Sequence, residues 1–517
     1  MFKCKQLLRR ICVVSYVFLL CGGLVNASNL VSKTNTLIGT QGNGWASGYL
    51  YPGATYPFGM VQFTPTYFTK QLGFVINQLS GAGCDHMGNF PTLPIAGALR
   101  VSPDSILNMQ TPVGKEIGTA GYYAATVDHS IRAELTVTER TGMARYTFSS
   151  KEKQGTVIIG GGVAATSIQV AAIKITGPHS CEGYAEGGAF CGIPTPYKVY
   201  FVAEFDADAE SFGTWKEERL HANHTFAEGS HSGVYFTFPL KEGNQAVQYK
   251  IGVSYVSVEN ARENLRVENP AWDFSAVRQA TQDKWNEYLG KIEVEGDNED
   301  RQMQFYTHLY RSLIHPNVCS DVNGEYMGAD SQVHKTARKF YTSFSNWDTY
   351  RTQTALIAML APEETSDIVM SHYLFAEQSG GGFPRWVLAN IETGVMQGDP
   401  TPILVANAYA FGARNYDPRT LLRTMRYGAE VPGANSQGVL TRPGLEQYLE
   451  KGYYDASILL EYTSSDFAIG RFALQACNDE PVCNWYTQRA MNWKNLFNKE
   501  TGWLQSLSLI HISEPTR

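Results

Sequence analysis

From Asn29 to about Val258 the chain alternates apolar and polar residues in short runs, broken by Gly, Pro and Asn clusters. The clearest are Tyr146–Phe148, Thr156–Ile159, Tyr200–Ala203, Val234–Phe238 and Tyr249–Tyr255. Successive strand side chains point to opposite faces, so such runs predict strands with one face in a core. Many short strands at regular spacing predict a β-sandwich. Beyond the polar stretch Glu259–Asn269 the period lengthens. Phe274, Val277, Ala280, Trp285 and Leu289 recur at helical spacing, as do Met303, Phe305, Tyr306, Leu309, Tyr310, Leu313 and Ile314. Helical stretches follow at Tyr350–Leu360, Glu364–Gln378, Thr401–Ala413, Ser457–Ala476 and Trp485–Phe497, with Gly and Pro loops between them. They predict successive helical hairpins after the sandwich, a multidomain α and β protein.

Length agrees with that division, because 517 residues exceed what one ordinary core organises. The net charge of −7 leaves no basic face for a nucleic-acid partner. Residues Met1–Arg10 carry Lys3, Lys5, Arg9 and Arg10, Ile11–Val25 is apolar, and Val25-Asn26-Ala27 offers a cleavage point. Residues 1–27 therefore read as a signal peptide, and the protein is expected to be exported to a periplasmic or extracellular location. A second apolar run of spanning length is missing, so no membrane span is expected. Cys4, Cys12 and Cys21 leave with the signal. Among the remaining cysteines, Cys181–Cys191 and Cys477–Cys483 are candidate local disulfides, with free buried thiols as the alternative.

Generic motifs are nearly absent. Gly229-Ser-His-Ser-Gly233 has His231 where a nucleophile elbow needs serine, and reads as a turn. Asp321-Val-Asn-Gly324 could open a calcium loop, but its acidic pattern stops and Asn323-Gly324 favours a turn. Three glycine-rich loops concentrate Trp, Asp, Glu and Arg: Leu79–Phe90 with Asp85, Phe344–Arg351 with Trp347, Asp348 and Arg351, and Gly380–Gly398 with Arg385, Trp386 and Glu392. An indole that stacks on a pyranose, beside Asp and Arg that bind its hydroxyls, makes a sugar site. Each has a plainer reading. Asp348 could be the charge at a helix N-terminus, and Arg385 a cation packed on an exposed Trp386 ring.

Together these segments resemble glycoside hydrolase family 92, calcium-dependent exo-acting α-mannosidases. The resemblance runs through Tyr51–Gln62, Gly121–Tyr123, Ala133–Arg140, Phe305–Tyr310, Ser345–Arg351, Phe383–Trp386 and Glu392–Gly398. It implies an N-terminal β-sandwich followed by the first part of an (α/α)6 barrel. The expected boundaries are a sandwich over 28–258, a helical linker over 259–299 and a partial catalytic domain over 300–506. The resemblance further implies mannose-containing glycans as substrate, calcium as cofactor, Glu392 as general acid, and a mannose pocket lined by Trp347 and Asp348. Arg351, Arg385, Trp386 and Asp85 are expected beside it. Val395 and Asn407 depart from the family pattern, which has Cys and Asp there. The family's catalytic base belongs to a Gly-Asn-x-Asp-x-Gly-Gln-like segment that this sequence lacks, and its calcium ligands are expected mostly beyond residue 506. Residues 507–517 read as a translated sequencing adapter, with a natural chain continuing through further helices. The expected activity is inverting hydrolysis of terminal α-mannosides, absent from the 517-residue chain itself. The alternatives are a non-catalytic glycan-binding protein on the same scaffold and another (α/α)6 glycosidase or phosphorylase.

Overall fold

The computed structural model describes residues 29–40, 49–66, 73–104, 113–128, 130–242 and 245–506. The expected signal peptide at 1–27 and the adapter-like tail at 507–517 lie outside the described residues.

Up to Ser254 the chain folds into an eight-stranded and a nine-stranded sheet. The alternating runs sit in the strands Thr141–Thr147, Gln154–Ile159, Ile193–Phe205, Ser232–Pro239 and Ala246–Ser254. Ser180–Phe190 alternates buried and half-buried positions along most of its length, as a strand with one core face must. Phe63, Phe74, Val157 and Phe236 from one sheet share a core with Tyr146, Val199, Phe201 and Tyr249 from the other. Phe74 stacks on Tyr146 at 6.4 Å and Phe205 meets Phe236 at 5.0 Å, so the sheets pack face to face through aromatic rings. Gly229–His231 form the turn between the strands Phe226–Glu228 and Ser232–Pro239, so the rest of the Gly229–Gly233 run is strand.

Helices follow: Val258–Glu268, Phe274–Leu289, Glu299–Ser312, Gln353–Leu360, Pro362–Gln378, Thr401–Ala410, Pro418–Glu430, Leu445–Lys451, Ala456–Cys477 and Glu480–Ala490. Many begin where a short polar side chain satisfies a free backbone N–H. Ser257, Asp273, Asn298, Asp417, Asp455 and Asp479 each accept from an N–H of the first turn. Several elements depart from the periodicity reading, among them the unexpected short helix Leu445–Lys451. Pro418–Glu430 was not among the expected helices, yet it buries Leu421, Leu422 and Met425 and has Asp417 and Pro418 in capping positions. The helix expected from Trp485 starts earlier, at Glu480, because Asp479 caps it. The architecture is a β-sandwich followed by helical hairpins of the (α/α) toroid type.

The two parts are joined by the segments that carry the family resemblance. The Trp285 indole donates to the Thr55 carbonyl at 2.7 Å, and Thr55 pairs with the Tyr310 hydroxyl at 2.8 Å. Gly121 has φ +77°, and a Cβ there would lie 2.7 Å from Thr281, so glycine lets the Phe274–Leu289 helix approach the sheet. Arg140, 8% exposed, bonds Glu139, Glu268 and the Ser320 carbonyl. Nearby, Asp321 accepts from Ser254, Asn260 and Asn264, and Gly324 N–H closes a turn on Asp321 O at 2.9 Å. The segment is a turn whose carboxylate is spent on protein donors.

Candidate active site

A cavity of about 600 Å³ opens between the sandwich and the helices. Its sandwich wall is the Leu79–Cys84 loop with Phe190 and Cys191; His308, Arg311, His315, Ser345, Asp348, Trp386 and Met396 face it from the helical side. A disulfide joins Cys84 to Cys191, 107 residues apart, tying the loop to the tip of the hairpin formed by Ser180–Phe190 and Ile193–Phe205. This corrects the local pairing expected from spacing. Cys181 and Cys191 are separated by ten positions of extended chain, about 33 Å at strand rise, far beyond disulfide reach. Cys181, Cys319, Cys477 and Cys483 are free thiols. Two imidazoles anchor the same loop. Leu79 N–H donates to His86 Nε2 at 2.7 Å and Ser80 N–H to His315 Nε2 at 2.9 Å. Each ring must therefore carry its proton on Nδ1, where Cys84 O and Asn317 Oδ1 accept it at 2.7 Å. Burial brings both rings down to about 4.

The second and third glycine-rich loops meet in a small sheet. Phe344 pairs with Val387, Ser345 with Trp386, and Val387 with Glu392, so strand pairing joins the segment that carries Trp347-Asp348 to the one that carries Glu392. Asn346, 1% exposed, fastens the junction by donating to Pro384 O and Thr401 Oγ1 while His372 bonds its Oδ1. Asp348 is exposed, lines the cavity and accepts from the Ser345 hydroxyl; it also falls in the first turn of the short helix Asn346–Thr349. The Trp347 indole donates to Glu461 at 3.0 Å, and the Arg351 guanidinium lies 4.9 Å from the Trp347 ring centre. Asp85, beside the disulfide, is exposed and is not among the lining residues.

Arg385 is not packed on an exposed ring. Its guanidinium donates to the carbonyls of Gly394, Met396, Gly398, Leu440 and Thr441, while Trp386 is buried and stacked on Phe190 at 4.1 Å. Five carbonyls offer more than solvent-exposed stacking would, so Arg385 pins the loop. Glu392 is 6% exposed and accepts from the N–H groups of Arg385 at 2.6 Å, Trp386 at 3.2 Å and Gly394 at 2.8 Å. Burial pushes its carboxyl above the usual range, against those donors and the Arg385 charge. Glu392 lines a narrow recess with Phe383, Arg385, Gly398, Asp399 and Thr441, not the large cavity.

Residues 34–254 match the N-terminal domain of glycosyl hydrolase family 92, and residues 260–508 match its catalytic domain. The chain belongs to glycoside hydrolase family 92. An uncharacterized secreted glycosidase of Arthroderma benhamiae is 25% identical, with 91% of this chain and 63% of that protein aligned. A family 92 α-mannosidase from Bacteroides thetaiotaomicron superposes with a TM-score of 0.83 at 24% identity, over 92% of this chain and 67% of its own. A family 92 inverting mannosidase from Bacteroides thetaiotaomicron VPI-5482 gives 0.83 at 25% identity, over 93% and 67%. The chain thus spans about two thirds of the length of these relatives.

Within this family 92 chain the described residues also contain groups that motif reading missed. Glu461 sits mid-helix in Leu-Leu-Glu-Tyr-Thr-Ser-Ser, with no local signal. Arg442, Asp399, Asp466 and Arg489 form a buried ion cluster assembled from distant positions. Among the described residues no carboxylate cluster offers itself to calcium. No group of three or more His, Cys, Asp or Glu among them could hold a metal, and the carboxylates of Glu392 and Asp321 are spent on protein donors.

Proposed function

We propose that this chain is the sandwich and acid-bearing part of an exported, exo-acting α-mannosidase that removes terminal α-mannose from glycans with inversion. The observation that carries the reading is the pairing of two family 92 segments in one small sheet, the first carrying Asp348, which lines the cavity, and the second Glu392, which lines a separate recess. Export agrees with a relative described as a secreted glycosidase, and among the described residues no helix is long and apolar enough to cross a membrane.

Glu392 is the proposed general acid. A sugar alkoxide leaves poorly unless its oxygen is protonated as the bond breaks, and a carboxyl raised by burial holds a proton nearer neutral pH. Trp347 and Asp348 are proposed to hold the terminal mannose, with Arg351 beside them, while Trp386 and Asp85 shape the entrance. Arg385, committed to five carbonyls, acts through the loop it pins. Inversion needs a base on the opposite face of the sugar. The aspartate segment expected to supply it is not in this sequence, so the 517-residue chain is proposed to bind mannosides without turning them over. Calcium would come with donors outside the described set, and no step above is routed through it.

The three N–H donors on Glu392 favour a second reading, a glycan-binding protein in which Glu392 only anchors a loop. Glu392→Gln separates the two. The ring nitrogen of mannoimidazole stands where the leaving oxygen would be and takes the acid's proton, whereas a mannose-configured piperidine lacks that nitrogen. The acid reading expects the variant to lose roughly tenfold or more in mannoimidazole affinity and much less for the piperidine. Equal losses on both ligands with a lower melting temperature would establish the loop anchor.

A further inference from the structure

Glu461 is where the two family segments converge, although neither contains it. It lies on the Ala456–Cys477 helix, and its Oε1 accepts the Trp347 indole N–H at 3.0 Å across 114 residues. Arg351 Nη2 is 3.9 Å from the same oxygen, and its guanidinium covers Trp347 at 4.9 Å. From the other side comes Gly398, the last residue of the acid segment. It has φ +73°, and a Cβ there would lie 2.5 Å from the Glu461 Cβ, so only glycine lets that segment close against this side chain. Arg385 holds the Gly398 carbonyl in place at 2.9 Å.

We infer that Glu461 is a positioning residue that sets the Trp347 indole as the platform for the bound sugar. An indole has two side-chain torsions, and a single N–H acceptor at its far edge selects one orientation of the ring plane. Glu461 is suited to this because its helix is fastened by contacts other than Trp347: Ser465, four residues on, donates to Asp399 O at 2.5 Å, and Asp466 is tied into the buried ion cluster. A charged acceptor holds an indole N–H more firmly than a neutral one, and side-chain entropy would otherwise release the ring. The inference rests on the mannosidase reading for the identity of the sugar but not for the contact itself.

The test uses the 517-residue chain and two readouts. The first is the indole ¹⁵N–¹H resonance of Trp347, assigned by its loss in Trp347→Phe. The second is mannoimidazole affinity by calorimetry. In Glu461→Ala the resonance should move and affinity should fall by about tenfold to a hundredfold, the effect of a lost charged hydrogen bond. Glu461→Gln keeps an oxygen for the indole and should restore affinity to within a few-fold. Adding Trp347→Phe to Glu461→Ala should cost less than the sum of the single losses, because both changes break the same Trp347–Glu461 contact. An unmoved resonance in Glu461→Ala, full affinity in that variant, equal loss in the Gln and Ala variants, or additive losses in the double variant would each overturn the inference. If the unaltered chain binds no mannoimidazole while the resonance still depends on Glu461, the mannosidase reading fails and the positioning contact stands.

Discussion

Asp466→Asn is expected to cost about 3–5 kcal/mol of unfolding free energy, the penalty for breaking a buried charge cluster by removing one partner. Asp466 is fully buried and accepts from Arg442 at 2.7 Å, from Arg489 twice and from Tyr448 at 2.6 Å. Arg442 also donates to Asp399 at 2.8 Å, so two guanidiniums face two carboxylates and the charges balance. Burial alone would raise the Asp466 carboxyl, but the two guanidiniums outweigh it and hold it below the usual range. Asp399, paired with Arg442 alone, is pushed up by its burial instead. The amide keeps the shape, removes the charge and points a donor at donors. Urea unfolding measures the effect; a loss under about 1 kcal/mol would show that water or a counterion already compensates the arginines. Replacing the cluster wholesale by apolar residues of similar volume should cost far less, since desolvation is then relieved as well.

A second large effect is expected with pH. His86 and His372 are fully buried and His315 is half-buried on the cavity wall, and desolvation takes each ring from 6.5 to about 4. The unfolded chain then binds more protons between pH 6.5 and 4, so stability falls as pH drops through that window and levels off below it. At about 1.4 kcal/mol per pH unit, each ring removes about 3 kcal/mol. His86 and His315 hold the cavity wall, so its loop should loosen first. Glu392, Asp399 and Asp321, whose carboxyls are raised by burial, work in the opposite direction as pH falls. Variants therefore isolate the imidazoles better than the raw slope. His315→Gln, which keeps an acceptor for Ser80 N–H, should flatten the decline of the urea midpoint between pH 7 and 4.5. An unchanged decline would mean that His315 is not the titrating group.

The change from period two to helical period near residue 260 was legible because each half of the chain has a single core face. The Pro418–Glu430 helix was missed although its start is marked by Asp417 and Pro418 and its apolar face is strong. It lies in a stretch rich in Arg and Gly, where polar content masks the stripe. Within the site, strand pairing of 344–345, 386–388 and 391–392 links the second and third motif segments directly, while the first belongs to the sandwich wall of the cavity. What depends on tertiary packing was not legible. Arg442 meets Asp399 and Asp466 across 43 and 24 positions, and Cys84 finds Cys191 across 107. No local spacing encodes those partners; they follow from how the hairpin tip and the helices pack. Arg385 is a further case. Sequence suggests a sugar or ring contact, while the fold gives its five donors to carbonyls.

The most direct measurement is calorimetric titration of the purified 517-residue chain with mannoimidazole and with its glucose-configured epimer, repeated on Asp348→Ala. The expected result is one mannoimidazole per chain, bound roughly tenfold or more tighter than the epimer, with about 1.5–3 kcal/mol of that affinity lost in Asp348→Ala. Equal binding of the two epimers, or an Asp348→Ala variant that melts lower yet binds mannoimidazole unchanged, would contradict a mannose site at this cavity.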